Sequence, residues 1–166
     1  MKKINIVIIA VAVFALTACS NNTHTAKNEP VTTKSEKELV FDRGDKINSP
    51  NFTGDVWLNN LITADDENQN AVGSVTFVPG ARTRWHSHPA GQIILALDGI
   101  GYYQEKGKPV EIIRKGEVVK CPHNIPHWHG ASPESEFIQV AITGRENGPT
   151  VWLEPVTDEA YNSYNP

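Results

Sequence analysis

Four of the six histidines fall in two short segments, His86-Ser-His88 and His127-Trp-His129, and Gln92 follows the first pair after three intervening residues. Neutral imidazole is the commonest ligand for divalent transition metals, and three imidazoles with one amide oxygen make a borderline set suited to Mn, Fe, Co, Ni or Zn. One such histidine alone reads first as a hydrogen-bonded core residue. Two His-x-His pairs with Gln92 beside the first point to a shared metal site.

A site of this kind needs strands to present it. From Asp55 onward the chain runs in short β-prone stretches bounded by turn residues, the signature of an all-β domain. The predicted strands are 56–62, 72–78, 83–88, 92–98, 101–104, 110–114, 118–121, 127–131, 136–143 and 151–154, with turns at Pro79-Gly80, Asp98-Gly99, Lys115-Gly116 and Asn147-Gly148 among others. Only 157–164 reads as helical. A closed or sandwiched barrel follows. Side chains alternate between the two faces of a strand, so His86 and His88 share a face, as do His127 and His129. Both pairs can look into one interior. The same parity sets Arg84 beside His86 and His88, where a guanidinium either binds a carboxylate or enolate or turns to solvent at the barrel mouth. Trp85 and Trp128 have the opposite parity and read as packing residues.

With 166 residues and 39% hydrophobic content, the chain suits one core with appendages. The net charge of −4, with no Lys/Arg run beyond the first three positions, gives nucleic-acid binding no electrostatic support. A small-molecule partner is expected. At the N-terminus Lys2 and Lys3 precede an apolar run to Leu16, too short to span a membrane as a helix. Leu16-Thr17-Ala18-Cys19 resembles the bacterial lipobox. That resemblance implies a signal peptide over 1–18, lipidation of Cys19 and a lipid anchor in the bacterial cell envelope, at the periplasmic side of the outer membrane in a Gram-negative host. The alternative is an ordinary cleaved signal. Residues 19–50, rich in Asn, Thr, Ser, Lys and Glu, read as a disordered tether, and 51–166 as the folded domain. Cys121 is left without an intramolecular partner.

Gly80, five residues, His86, one, His88, three, Gln92, six, Gly99 resembles the first cupin motif, with Gln92 where Glu is usual. Gly116, five residues, Pro122 and then His127 resemble the second, with Asn124 in place of Gly and Ala131 in place of Asn. Asn is the residue after Gly most tolerant of a left-handed backbone, so the turn can survive. The resemblance implies a cupin fold, a double-stranded β-helix or jelly-roll-like barrel with a short C-terminal helix. It makes His86, His88, Gln92 and His127 the metal ligands. It leaves His129, on the inward face but outside the motif, as a candidate general acid or base, with a structural hydrogen-bonding role or a place as an alternative ligand as the other readings.

The stretches 73–92, 127–133 and 156–161 are similar to the bacterial cupins that include the manganese-dependent hydroxynitrile lyases. That similarity implies manganese as cofactor, with Fe, Ni, Co or Zn as substitutes, and puts Gly73 and Val75 in the pocket wall. Gln139 stands where those lyases have a second pocket histidine. A metal-dependent lyase acting on a small hydroxy or carbonyl compound is expected, with a cupin dioxygenase or a non-catalytic small-molecule-binding lipoprotein as alternatives. A homodimer is the expected assembly.

Overall fold

Alternating apolar and polar residues, punctuated by glycine and proline, fold into an almost all-β domain. The computed structural model describes residues 38–164, so the signal segment, Cys19 and residues 20–37 of the expected tether lie outside the described residues. The strands are β1 Asp45–Lys46, β2 Phe52–Thr53, β3 Val56–Ile62, β4 Asn70–Phe77, β5 Arg82–Thr83, β6 His86–Ser87, β7 Gln92–Glu105, β8 Glu111–Arg114, β9 Val118–Cys121, β10 His127–Ala131, β11 Phe137–Gly144 and β12 Val151–Trp152. One helix follows, α1 Asp158–Tyr161. The sheet runs β1-β3-β4-β11-β7-β10-β5-β2, with β8 and β9 also on β7, and β6 bridging β10 and β12. It curls into the expected jelly-roll-like barrel.

The long strand β7 ties the barrel together. Its first part pairs with β11 and β9, and its second with β8 and β10. Two separate strands with a turn at Asp98-Gly99 were expected there, yet the chain continues through. Gly99 takes φ 77°, and a Cβ at this position would run into the carbonyl of Glu136. The glycine therefore permits a bend inside a strand rather than a reversal of the chain. Just across the sheet, the β11–β7 register shifts between Ile138 and Gln139, a bulge that increases local twist.

Other expectations shift for equally local reasons. Residues 45–46, inside the span read as tether, form β1 against Leu58 and Trp57. The charges that suggested solvation are used here, with Arg43 4.0 Å above the Trp57 ring and Lys46 2.8 Å from Asp55. The stretch 83–88 divides into β5 and β6, interrupted at Arg84-Trp85. The C-terminal helix is shorter than 157–164. Thr157 Oγ1 accepts from Ala160 N at 3.1 Å to start it, and Asn162 ends it.

Two clusters of buried side chains stabilise the barrel. The inner one joins Val56, Phe77, Ile94, Ala96, Tyr103, Ile113 and Phe137. The outer one joins Trp85, Tyr102, Val110, Trp128, Val156 and Tyr161, so α1 caps the outer face of β10 and both tryptophans are packing residues, as their parity predicted. Tyr161 fixes the cap by donating its hydroxyl to Ala131 O at 2.8 Å. Arg82 lies 4.6 Å over the Tyr161 ring and pairs with Asp158 at 2.6 Å.

Candidate metal centre

The two histidine pairs reach one place because β10 and β6 are antiparallel neighbours with His127 opposite His86. Their ring centroids are 4.4 Å apart. His88 lies 5.0 Å from His86 and 5.5 Å from His127, and His129 lies 5.3 Å from His86. All four imidazoles are buried.

Backbone carbonyls set the tautomers. Nδ1 of His86 is 2.9 Å from Arg84 O, and Nδ1 of His127 is 2.9 Å from Ile125 O. A carbonyl only accepts, so the proton resides on Nδ1 and the Nε2 lone pair is free. His88 Nδ1 lies 3.2 Å from Thr150 Oγ1. Two further contacts aim the loops, since His88 O accepts from both Gly91 N at 3.0 Å and Asn124 N at 2.9 Å. Asn124 holds φ 59°, the sole positive φ outside glycine among the described residues. The left-handed turn of the second motif thus persists with Asn in place of Gly.

Electrostatics favour the form that binds metals. Burial, reinforced by the neighbouring imidazoles, holds His86 and His129 well below the usual histidine range. Burial and the His127 charge bring His88 down to about 3, and burial lowers His127. Near neutrality all four are uncharged. His88 Nε2, His127 Nε2 and His129 Nδ1 are buried with no hydrogen-bond partner, which is costly unless something else occupies them. A divalent transition metal fits that vacancy of partners and that donor chemistry.

The closest trio of donor nitrogens is His86, His127 and His129, mutually within 4.8 Å. The expected ligand set was His86, His88, Gln92 and His127. The structure therefore brings His129 as near to the centre as the expected ligands, while His88 joins by ring proximity. Gln92 is buried beside them, its Nε2 donating to Thr143 Oγ1 at 2.9 Å. That bond directs the amide nitrogen away and leaves Oε1 as the donor atom, with the Cys121 thiol 3.9 Å from it. Burial pushes that thiol up to about 12, so Cys121 stays protonated and is no thiolate ligand.

A cavity of about 170 Å³ opens onto the centre. Gly73 and Val75 from β4 line it, as does Gln139 from β11. Gln139 is 0% exposed, and neither its Oε1 nor its Nε2 has a partner. His129 also faces the cavity, positioned by its backbone N on Thr83 Oγ1 at 3.2 Å and by the Phe77 ring edge at 5.7 Å. Arg84 is not part of the lining; its charge acts on Glu154. Parity fails there because the strand breaks between β5 and β6: Thr83 and His86 both face the cavity, while Trp85 packs outside.

Among the lining residues not anticipated from the sequence are Thr143, Arg145 and Thr150. Thr143 could have been found by carrying the parity of Gln139 along β11. Arg145 and Thr150 lie beyond β11 and before β12, where no periodicity applies.

The chain matches the family model described as Cupin domain over residues 73–141. A protein of Granulicella tundricola named (R)-mandelonitrile lyase is 46% identical over 111 residues, 66% of this chain and 85% of that protein. The crystal structure of a cupin-like protein from Thermotoga maritima superposes with a TM-score of 0.72 at 47% identity, covering 75% of this chain and 95% of that one. A polyketide cyclase from Streptomyces resistomycificus shares the fold alone, with a TM-score of 0.57 at 16% identity over 75% of this chain and 91% of the other.

Proposed function

The chain belongs to the cupin family, and on that premise we propose that it is a metal-dependent lyase performing acid–base chemistry on a small hydroxy or carbonyl compound. Cyanohydrin cleavage is included among its activities. The observation that carries this reading is His129, a neutral buried imidazole with an unpartnered Nδ1, set in a cavity wall beside three further imidazoles. The similarity to a protein named (R)-mandelonitrile lyase supports it.

His86, His88, Gln92 and His127 would hold the metal, manganese foremost, with Fe, Ni, Co or Zn in the same class. Such an ion supplies Lewis acidity toward a substrate oxygen, and the neutral Gln92 in place of a carboxylate leaves more of that acidity in force. The His129 imidazole accepts the hydroxyl proton of the substrate and can return it to the leaving group. Thr83 fixes the His129 backbone through its N–H, and the Phe77 ring packs edge-on against the imidazole for that exchange. Gln139 donates at Nε2 and accepts at Oε1, so it orients substrate without transferring a proton near neutral pH. Val75, Phe77 and Leu58 give the wall an apolar surface that excludes water.

The deciding experiment incubates the metal-loaded protein with mandelonitrile and follows benzaldehyde and cyanide release. Turnover that disappears in His129→Ala while metal is retained supports the lyase. Inertness with tight retention of one small ligand favours a binding protein, and oxygen consumption on substrate addition favours a dioxygenase.

The same proposal locates the domain at the bacterial cell envelope through a lipid on Cys19, in the outer membrane facing the periplasm if the host is Gram-negative. A Cys19→Ser precursor should then remain unlipidated. Normal membrane anchoring of that variant would defeat the assignment. A homodimer is the proposed assembly, checked by sedimentation of the purified domain.

A further inference from the structure

The cavity above the imidazole cluster contains an uncompensated positive charge. Among the described residues that line it, Arg145 is the one side chain with a full charge; no Asp, Glu or Lys takes part. The metal-centre side chains that line it bring no carboxylate to offset that charge, since Gln92 is an amide and the others are imidazoles.

The guanidinium is held in place. Arg145 begins the turn after β11, its backbone N donating to Gln69 O at 2.8 Å and its O accepting from Gly148 N at 3.1 Å. Nη1 donates to Thr150 Oγ1 at 3.0 Å, and that same oxygen lies 3.2 Å from His88 Nδ1. Thr150 has two lone pairs, so it can accept from Arg145 and His88 together. The charge is therefore tied to the histidine cluster through one hydroxyl. Among the described residues no carboxylate pairs with Arg145, although Glu136, Asp158, Glu154 and Asp55 neutralise Arg43, Arg82, Lys106 and Lys46 respectively. Half-buried cations that line a cavity without a protein counter-ion are matched by anions, and the planar fork of Arg suits a carboxylate best.

We infer that Arg145 is a specificity-determining residue, and that the cavity takes a small 2-hydroxy or 2-oxo carboxylate, its carboxylate on Arg145 and its oxygen at the imidazole cluster. The inference rests on the proposed reading of this cavity as the substrate site. Arg145, Thr150 and the imidazoles of His86, His88 and His129 line one cavity, so a single small molecule can meet the cation with its carboxylate and the cluster with a second oxygen. The aliphatic and aromatic wall formed by Phe52, Leu58, Val72 and Val75 accepts an apolar substituent. Arg84, the sequence candidate for this role, lies outside the lining.

The test is equilibrium binding by titration calorimetry on the metal-loaded protein. The probes are mandelate and 2-hydroxyisovalerate, each compared with its neutral amide. Wild type should bind the acids at least about tenfold more tightly than the amides, the scale of a charge-assisted hydrogen-bonded pair. Arg145→Gln should erase that preference while metal content, read by mass spectrometry, stays as in wild type; Arg145→Met provides a second charge-free variant if the first folds poorly. Equal affinity for acids and amides in wild type, no binding of either, or undiminished preference in both variants would overturn the inference. A wild type that prefers the acids but releases no cyanide from mandelonitrile keeps this inference and loses the lyase reading. One that releases cyanide without any preference for acids does the reverse.

Discussion

His86 and His127 stand directly opposite one another in the β6–β10 register, with ring centroids 4.4 Å apart. Each has its Nδ1 committed to a carbonyl two residues earlier in its own chain, so only Nε2 remains to face the other. A pair arranged in this way can coordinate one ion but cannot hydrogen-bond to itself.

Removing that pair should remove the metal. His127→Ala is expected to fall to a small fraction of wild-type metal content, because one imidazole and its fixed geometry are lost. His129→Ala is expected to keep the metal and lose turnover by about 10²-fold or more, as befits a general base. Mass spectrometry on both variants decides, and equal metal loss in the two would make His129 a ligand, which its position within 4.8 Å of His86 and His127 makes a sharp question.

Gln139 gives a prediction of opposite sign for stability and activity. Its amide is buried with both polar atoms unpartnered, so Gln139→Leu should raise stability by about 1 kcal/mol and weaken substrate binding. Gln139→His should introduce a second proton-exchanging group and raise cyanohydrin cleavage by about 10²-fold. Urea unfolding and cyanide release measure the two effects; a destabilised Leu variant would show that the amide has partners in solution.

The histidines also set a pH dependence for the metal-free protein. In the unfolded chain they bind protons below about pH 6.5, whereas in the fold His88 stays neutral to about 3 and its neighbours are lowered too. The unfolded state therefore binds more protons in that window. Stability should be full above pH 6.5 and decline as pH falls toward 3, by about 1.4 kcal/mol per pH unit for each histidine that remains neutral. Urea titrations of chelated protein between pH 7.5 and 5 check this, and a flat profile would contradict it.

Gly99 tests the bend in β7. Gly99→Ala forces a Cβ into the Glu136 carbonyl at a positive φ and should cost about 3 kcal/mol or more. Gly107→Ala, also at positive φ but with open space around it, should cost only about 1 kcal/mol. Thermal unfolding of the two variants separates steric collision from backbone strain.

Strand parity made much of this architecture legible. It holds within an unbroken strand, which is why His127 and His129 could be assigned a common face and Trp128 the other. It fails at Arg84, where the ladder is interrupted, and it gives no information on Arg145, placed at the cavity by the path of a turn. β1 escaped notice because a two-residue edge strand requires backbone hydrogen bonds rather than apolar side chains, and its charged neighbours resemble a solvated tether. Gly99 read as a turn because the same dipeptide serves a reversal or a bend. Only the continuation of pairing on both sides of it, with β11 before and β8 after, tells them apart.

The carbonyl locks on His86 and His127 have a kinetic consequence. Arg84 O and Ile125 O are supplied locally, by the same strand ends that carry the rings, so neither ring must rotate or change tautomer when an ion arrives. Capture then depends on diffusion and on shedding water from the ion, and the lifetime of the loaded state is set almost wholly by the rate of release.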